Sequence, residues 1–159
     1  MLIDRVLLTP LDIIPASVGN VMHVMRGSSP GFSGFGEAYI SCLEPGATKG
    51  WKRHQKMTLN LAVPVGLVTF AVVDADDGIG RRYDLGPTAY ARLTVPPGLW
   101  VAFRSRSTEP SLILNVADIE HDPREADSRA LPEIAFDWDE TVVEQKLALD
   151  VEQGSGRAR

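Results

Sequence analysis

One cysteine, three histidines and an aromatic share of 7% are the scarcities that narrow this 159-residue chain most. A lone Cys42 excludes an internal disulfide and a thiolate metal cluster, and points to a reducing compartment. Its place in the apolar run Ala38-Tyr39-Ile40-Ser41-Cys42-Leu43 reads as a buried structural thiol rather than a nucleophile. No apolar run approaches the roughly 20 residues of a membrane helix, so no membrane partner is expected. The N-terminal stretch offers Arg5, then Pro10, Asp12 and Pro15, without the apolar centre of a secretory signal. A cytoplasmic location is the expectation. Positive charge is also short: a net charge of −5 gives nucleic acid no global attraction. Helical periodicity is missing before residue 138.

Strand signals fill the space. Ala38 to Leu43 ends at the turn Glu44-Pro45-Gly46, and the β-rich runs Thr58–Val65 and Leu67–Asp74 are separated by Gly66. Asp76-Asp77-Gly78-Ile79-Gly80 is a hairpin signal. Ala91–Val95, Leu99–Arg104 and Ser111–Val116 follow, punctuated by Pro96-Pro97-Gly98 and Ser107-Thr108-Glu109-Pro110. Short strands at spacings of about ten residues indicate an all-β sandwich or barrel. Residues 1–138 read as one domain, long enough for one core. Residues 139–159 read as a C-terminal extension, with Glu140–Val151 either a short amphipathic helix or disordered, and a frayed end after it.

The segment Trp51-Lys52-Arg53-His54-Gln55-Lys56 sets a single histidine among cations, which suits proton transfer beside an anion. Alternation along a strand places Lys52 on the face of His54 and Arg53 on the other. Neighbouring cations disfavour the charged imidazole and favour an oxyanion. If the strand continues unbroken, Thr58 and Asn60 share the His54 face, making Asn60 a ligand-binding candidate. Arg104 and Arg106 share one side of another strand, and their guanidinium forks match a diphosphate. Trp100 either stacks on a base or sugar or packs the barrel. His121-Asp122-Pro123 is either a general acid with an orienting carboxylate or a charged turn.

Five segments in order carry a resemblance: Gly34-Phe35-Gly36-Glu37-Ala38-Tyr39, Glu44-Pro45-Gly46, Lys49-Gly50-Trp51-Lys52-Arg53-His54, Val95-Pro96-Pro97-Gly98, and Leu131-Pro132-Glu133-Ile134-Ala135-Phe136-Asp137-Trp138. Over about residues 6 to 138 the chain resembles the small cupins of the dTDP-4-dehydrorhamnose 3,5-epimerase superfamily, which includes dTDP-sugar ketoisomerases. The resemblance implies a cupin-type jelly-roll barrel, a homodimer, and a nucleotide-linked 4-keto-6-deoxy sugar as substrate. It implies no metal and no cofactor. His54 matches the family's base. Lys52, a cation placed to stabilise an enolate, stands where many relatives have another His or Arg, and Asp137 lies at the place of an epimerase Asp. Tyr39, inside the first segment, joins the substrate-binding set.

Departures accompany the matches. Val101-Ala102 stands where relatives have His-Gly, and Ala16-Ser17-Val18-Gly19 where many have Asp-x-Arg-Gly. Lys52 and Val101 also occupy positions where metal-binding cupins carry histidines. The segment Asn115 to His121 lacks the acid Tyr of the epimerases. His121 or Glu120 takes its place, or the acid is missing and the chain is a non-catalytic binder of sugars or sugar nucleotides.

Overall fold

The structure, a computed structural model, describes residues 1–140 and 144–147. A first group of strands comprises β1 (Leu7–Pro10), β2 (Ile13–Ala16), β3 (Gly19–Met22), β4 (Glu37–Leu43), β5 (Thr48–His54) and β6 (Leu59–Val65). After them come β7 (Val68–Asp74), β8 (Ile79–Leu85), β9 (Ala91–Val95), β10 (Trp100–Ser105), β11 (Ser111–Ala117), β12 (Ala126–Arg129) and β13 (Glu144–Lys146). They form a five-stranded sheet, β1-β9-β6-β11-β4, and a six-stranded sheet, β12-β5-β10-β7-β8-β13, with β2-β3 as a separate hairpin. Every pairing is antiparallel. This is the expected jelly-roll sandwich.

The Pro/Gly punctuation marks the corners where the chain changes sheet. Glu44-Pro45-Gly46 carries it from β4 to β5, Pro64-Val65-Gly66 from β6 to β7, and Pro96-Pro97-Gly98 from β9 to β10. Gly66 has φ of +89°, and a Cβ there would run into the Ser111 side chain, so only glycine suits this corner. The Asp76-Asp77-Gly78 signal closes the β7-β8 hairpin.

Two apolar layers result. Leu59, Leu61 and Val63 from one sheet meet Val68, Phe70, Val72 and Val101 from the other. The alternate residues of the six-stranded sheet, Trp51, Ala71, Val73, Trp100 and Ala102, face outward. They are covered by Ile134, Phe136, Trp138 and Leu147, with Phe136 edge-on to Trp51 at 6.2 Å between ring centroids. All seven residues of β7 are therefore buried.

Two expectations need correction. Glu144–Lys146 is an edge strand rather than part of a helix: it satisfies the free edge of β8, and Glu144 meets Arg81 at 2.8 Å. The rest of the expected tail, residues 141–143 and 148–159, lies outside the described residues. Cys42 is exposed, not buried, because β4 is a sheet edge whose inward side holds Tyr39, Ser41 and Leu43.

Candidate active site

A cavity of about 400 Å³ opens between the two sheets. β5 supplies its polar wall. Val101 pairs with Lys52 but Phe103 pairs with Lys49, so three steps on β5 oppose two on β10. That β-bulge resets the alternation, and Lys49, Lys52 and His54 all line the cavity. The Lys49 ammonium sits 6.0 Å from the Phe103 ring centroid. Neither lysine forms an ion pair among the described residues. Arg53 points the other way, 4.8 Å above Trp100 and 2.8 Å from the Asp127 carboxylate.

His54 ends β5 and is 7% exposed. Its Nδ1 is in a short contact with Oε1 of Glu125, itself buried. The other carboxylate oxygen, Oε2, accepts the backbone N–H groups of Gln55 at 3.0 Å, Lys56 at 3.0 Å and Met57 at 3.3 Å. Burial pushes the Glu125 carboxyl up, but the His54 contact and these N–H donors outweigh it and hold it below the ordinary range. Glu125 therefore stays ionised and fixes the imidazole, leaving Nε2 as the ring nitrogen available for chemistry. Strand pairing explains how the pair forms: Ala126 on β12 stands opposite His54, so the preceding residue abuts the bend after β5.

Opposite lies a second polar group. Asn115 on β11 pairs directly with Tyr39 on β4. Its Nδ2 donates to Tyr39 Oη at 3.0 Å, and its Oδ1 accepts the Asn60 N–H at 2.9 Å. Tyr39 and Asn115 both line the cavity.

The other expected site residues lie elsewhere. The chain bends at Gln55–Lys56 and β6 belongs to the opposite sheet, so Leu59 and Leu61 face the cavity while Asn60 does not. Its side chain accepts the Thr94 hydroxyl at 2.7 Å. Trp100 is packed on the outer face, under Arg53 and Arg129. Arg104 also faces outward, stacked 4.7 Å above Trp138, and Arg106 holds Asp139 at 2.8 Å. Inward alternation on β10 belongs to Val101 and Phe103 instead. Asp137 is exposed in the segment covering that outer face, where its Oδ1 accepts the Asp139 and Glu140 N–H groups. His121 is exposed in the loop before the Pro123–Glu125 turn and does not line the cavity.

Glu125, Lys49 and Asn115 are the residues that sequence reasoning missed. Glu125 carried no periodic signal, and only its closeness to His121-Asp122-Pro123 drew attention to the region. Among the described residues, no three His, Cys, Asp or Glu side chains are grouped to hold a metal ion.

A dTDP sugar isomerase from Desulfovibrio desulfuricans G20 is 36% identical, with a TM-score of 0.80 over 87% of this chain and 93% of that one. The chain belongs to the dTDP-sugar epimerase and ketoisomerase superfamily. Two further members of that superfamily share the fold at lower identity. QdtA, a sugar 3,4-ketoisomerase from Thermoanaerobacterium thermosaccharolyticum in complex with TDP, is 17% identical with a TM-score of 0.66, over 77% of this chain and 86% of that one. A dTDP-4-dehydrorhamnose 3,5-epimerase from Sulfolobus tokodaii is 16% identical with a TM-score of 0.71, over 86% and 82%. No family model matches the sequence, and comparison with curated proteins finds no match.

Proposed function

We propose that this protein is a sugar-nucleotide isomerase or epimerase acting on a dTDP-linked 4-keto-6-deoxy sugar. The observation that carries this reading is the buried His54–Glu125 pair at the wall of a cavity also lined by Lys49 and Lys52, neither in an ion pair among the described residues. His54 Nε2 removes a proton from the carbon beside the ketone, and the electron pair moves to the ketone oxygen as an enolate. Glu125 stabilises the imidazolium that forms, and the Lys52 ammonium offsets the enolate charge. Lys49, farther along β5, suits the diphosphate.

Proton return needs a neutral donor, and the Tyr39 phenol in the cavity suits it. Tyr39 gives its proton to the enolate system and becomes a phenolate, which regains a proton from solvent while the imidazolium releases one. Protonation of the same carbon from the other face gives epimerisation; protonation of the former ketone carbon, with the hydroxyl proton of the first carbon passing to the enolate oxygen so that a ketone forms there, gives ketoisomerisation. The missing acid favours a binding-only cupin; the Tyr39 phenol lining the cavity supports the catalytic reading instead. The protein is expected to work without a metal, in the cytoplasm and as a homodimer; light scattering on the purified chain checks the last point.

The test is incubation with dTDP-4-keto-6-deoxyglucose in D2O, followed by NMR. Wild type should wash deuterium into the carbon beside the ketone and form an isomerised sugar. His54→Ala should do neither. No exchange by wild type, or full exchange by His54→Ala, overturns the reading.

A further inference from the structure

Asn115 is 1% exposed, and both ends of its amide have defined partners. A backbone N–H can only donate, so the atom 2.9 Å from the Asn60 nitrogen is the amide oxygen. This removes the usual ambiguity of an amide's orientation. The NH2 group is then the one 3.0 Å from Tyr39 Oη, and it can only donate. The phenol oxygen is thus the acceptor in this contact, and its own hydrogen points away from Asn115. Direct pairing of Tyr39 with Asn115 across β4 and β11 holds the two in register.

We infer that Asn115 is a positioning residue for proton return: it holds the Tyr39 oxygen as an acceptor and so turns the phenol proton toward the substrate. The inference rests on the isomerase reading above. It also gives a reason for polar burial here, since an apolar residue at 115 would leave the Asn60 N–H unpaired and the phenol proton undirected.

Asn115→Asp reverses the polarity. One carboxylate oxygen still accepts the Asn60 N–H, and the other accepts the Tyr39 hydrogen, drawing it away from the substrate. Two readouts separate the steps. Deuterium wash-in to unconverted substrate reports proton removal and same-face return by His54, whereas net conversion needs the second donor. Asn115→Asp is expected to keep wash-in near the wild-type rate while net conversion falls about 100-fold, the scale of one general-acid contribution. The loss should appear in kcat, with KM little changed. Tyr39→Phe should show the same split, and Asn115→Asp placed on Tyr39→Phe should add nothing. If Asn115→Asp does not fold, Asn115→Leu, similar in size, is expected to show the split more weakly.

Equal loss of wash-in and conversion in folded Asn115 variants overturns the inference, as does unimpaired conversion by either one. Failure of wild type to exchange at all overturns the isomerase reading, and this inference with it.

Discussion

His54 is held by one oxygen of Glu125, while the other oxygen of that carboxylate closes the bend after β5. Replacing Glu125 by Gln keeps the shape but puts an amide where an ionised acceptor fixed the imidazole. Deuterium wash-in is expected to fall by about 10²–10⁴-fold, as when the carboxylate behind a catalytic imidazole is neutralised. An unchanged rate would mean that the pair is structural only. The same carboxylate links stability to pH. Its folded pKa is depressed, so its stabilising contribution is present above the unfolded carboxylate value of about 4.3 and is lost as pH falls through the lower folded value. Wild-type Tm should therefore drop more steeply than that of Glu125→Gln below about pH 4.3. Parallel curves would contradict this. None of it was legible from residue 125 alone, because the contact joins positions 71 residues apart.

At the scale of elements, period-two alternation was a good guide inside an uninterrupted strand and failed where a strand was interrupted. It separated Lys52 and His54 from Arg53, as the cavity lining also does. It misplaced Asn60, because a bend and a change of sheet intervene between His54 and Leu59. It also hid Lys49, which the bulge brings to the cavity side three residues before Lys52. Lys49→Ala is expected to weaken dTDP binding about tenfold, the scale of one charged hydrogen bond, and to flatten its salt dependence. Calorimetry at two salt concentrations checks this, and an unaltered Kd would remove Lys49 from the site. The corner glycine gives a stability test. Gly66→Ala forces a side chain into positive φ against Ser111 and should cost about 1–3 kcal/mol, read from urea unfolding.

For the whole molecule, the six-stranded sheet separates two jobs. Its inner face holds the cavity, and its outer face is a second core sealed by Phe136 and Trp138. Trp138→Ala should therefore destabilise the protein by about 2 kcal/mol, less than a fully buried Trp, yet leave dTDP affinity unchanged. Thermal unfolding and calorimetry on one preparation decide it; a large affinity loss would mean that the two faces are coupled. The same division explains why Trp100, Arg104 and Arg106 looked like ligand contacts and serve as packing and clamps. Their residue types suit either role, and only the face distinguishes them. Local chemistry was enough to establish an all-β chain: glycine and proline dictate corners through φ, and apolar alternation dictates strands. It also marked His54 as the residue to mutate first. The partner of His54, the orientation of Tyr39 and the facing of the arginines arose from pairings between distant strands. Such pairings are set by register, bulges and sheet order, which no short stretch of sequence contains.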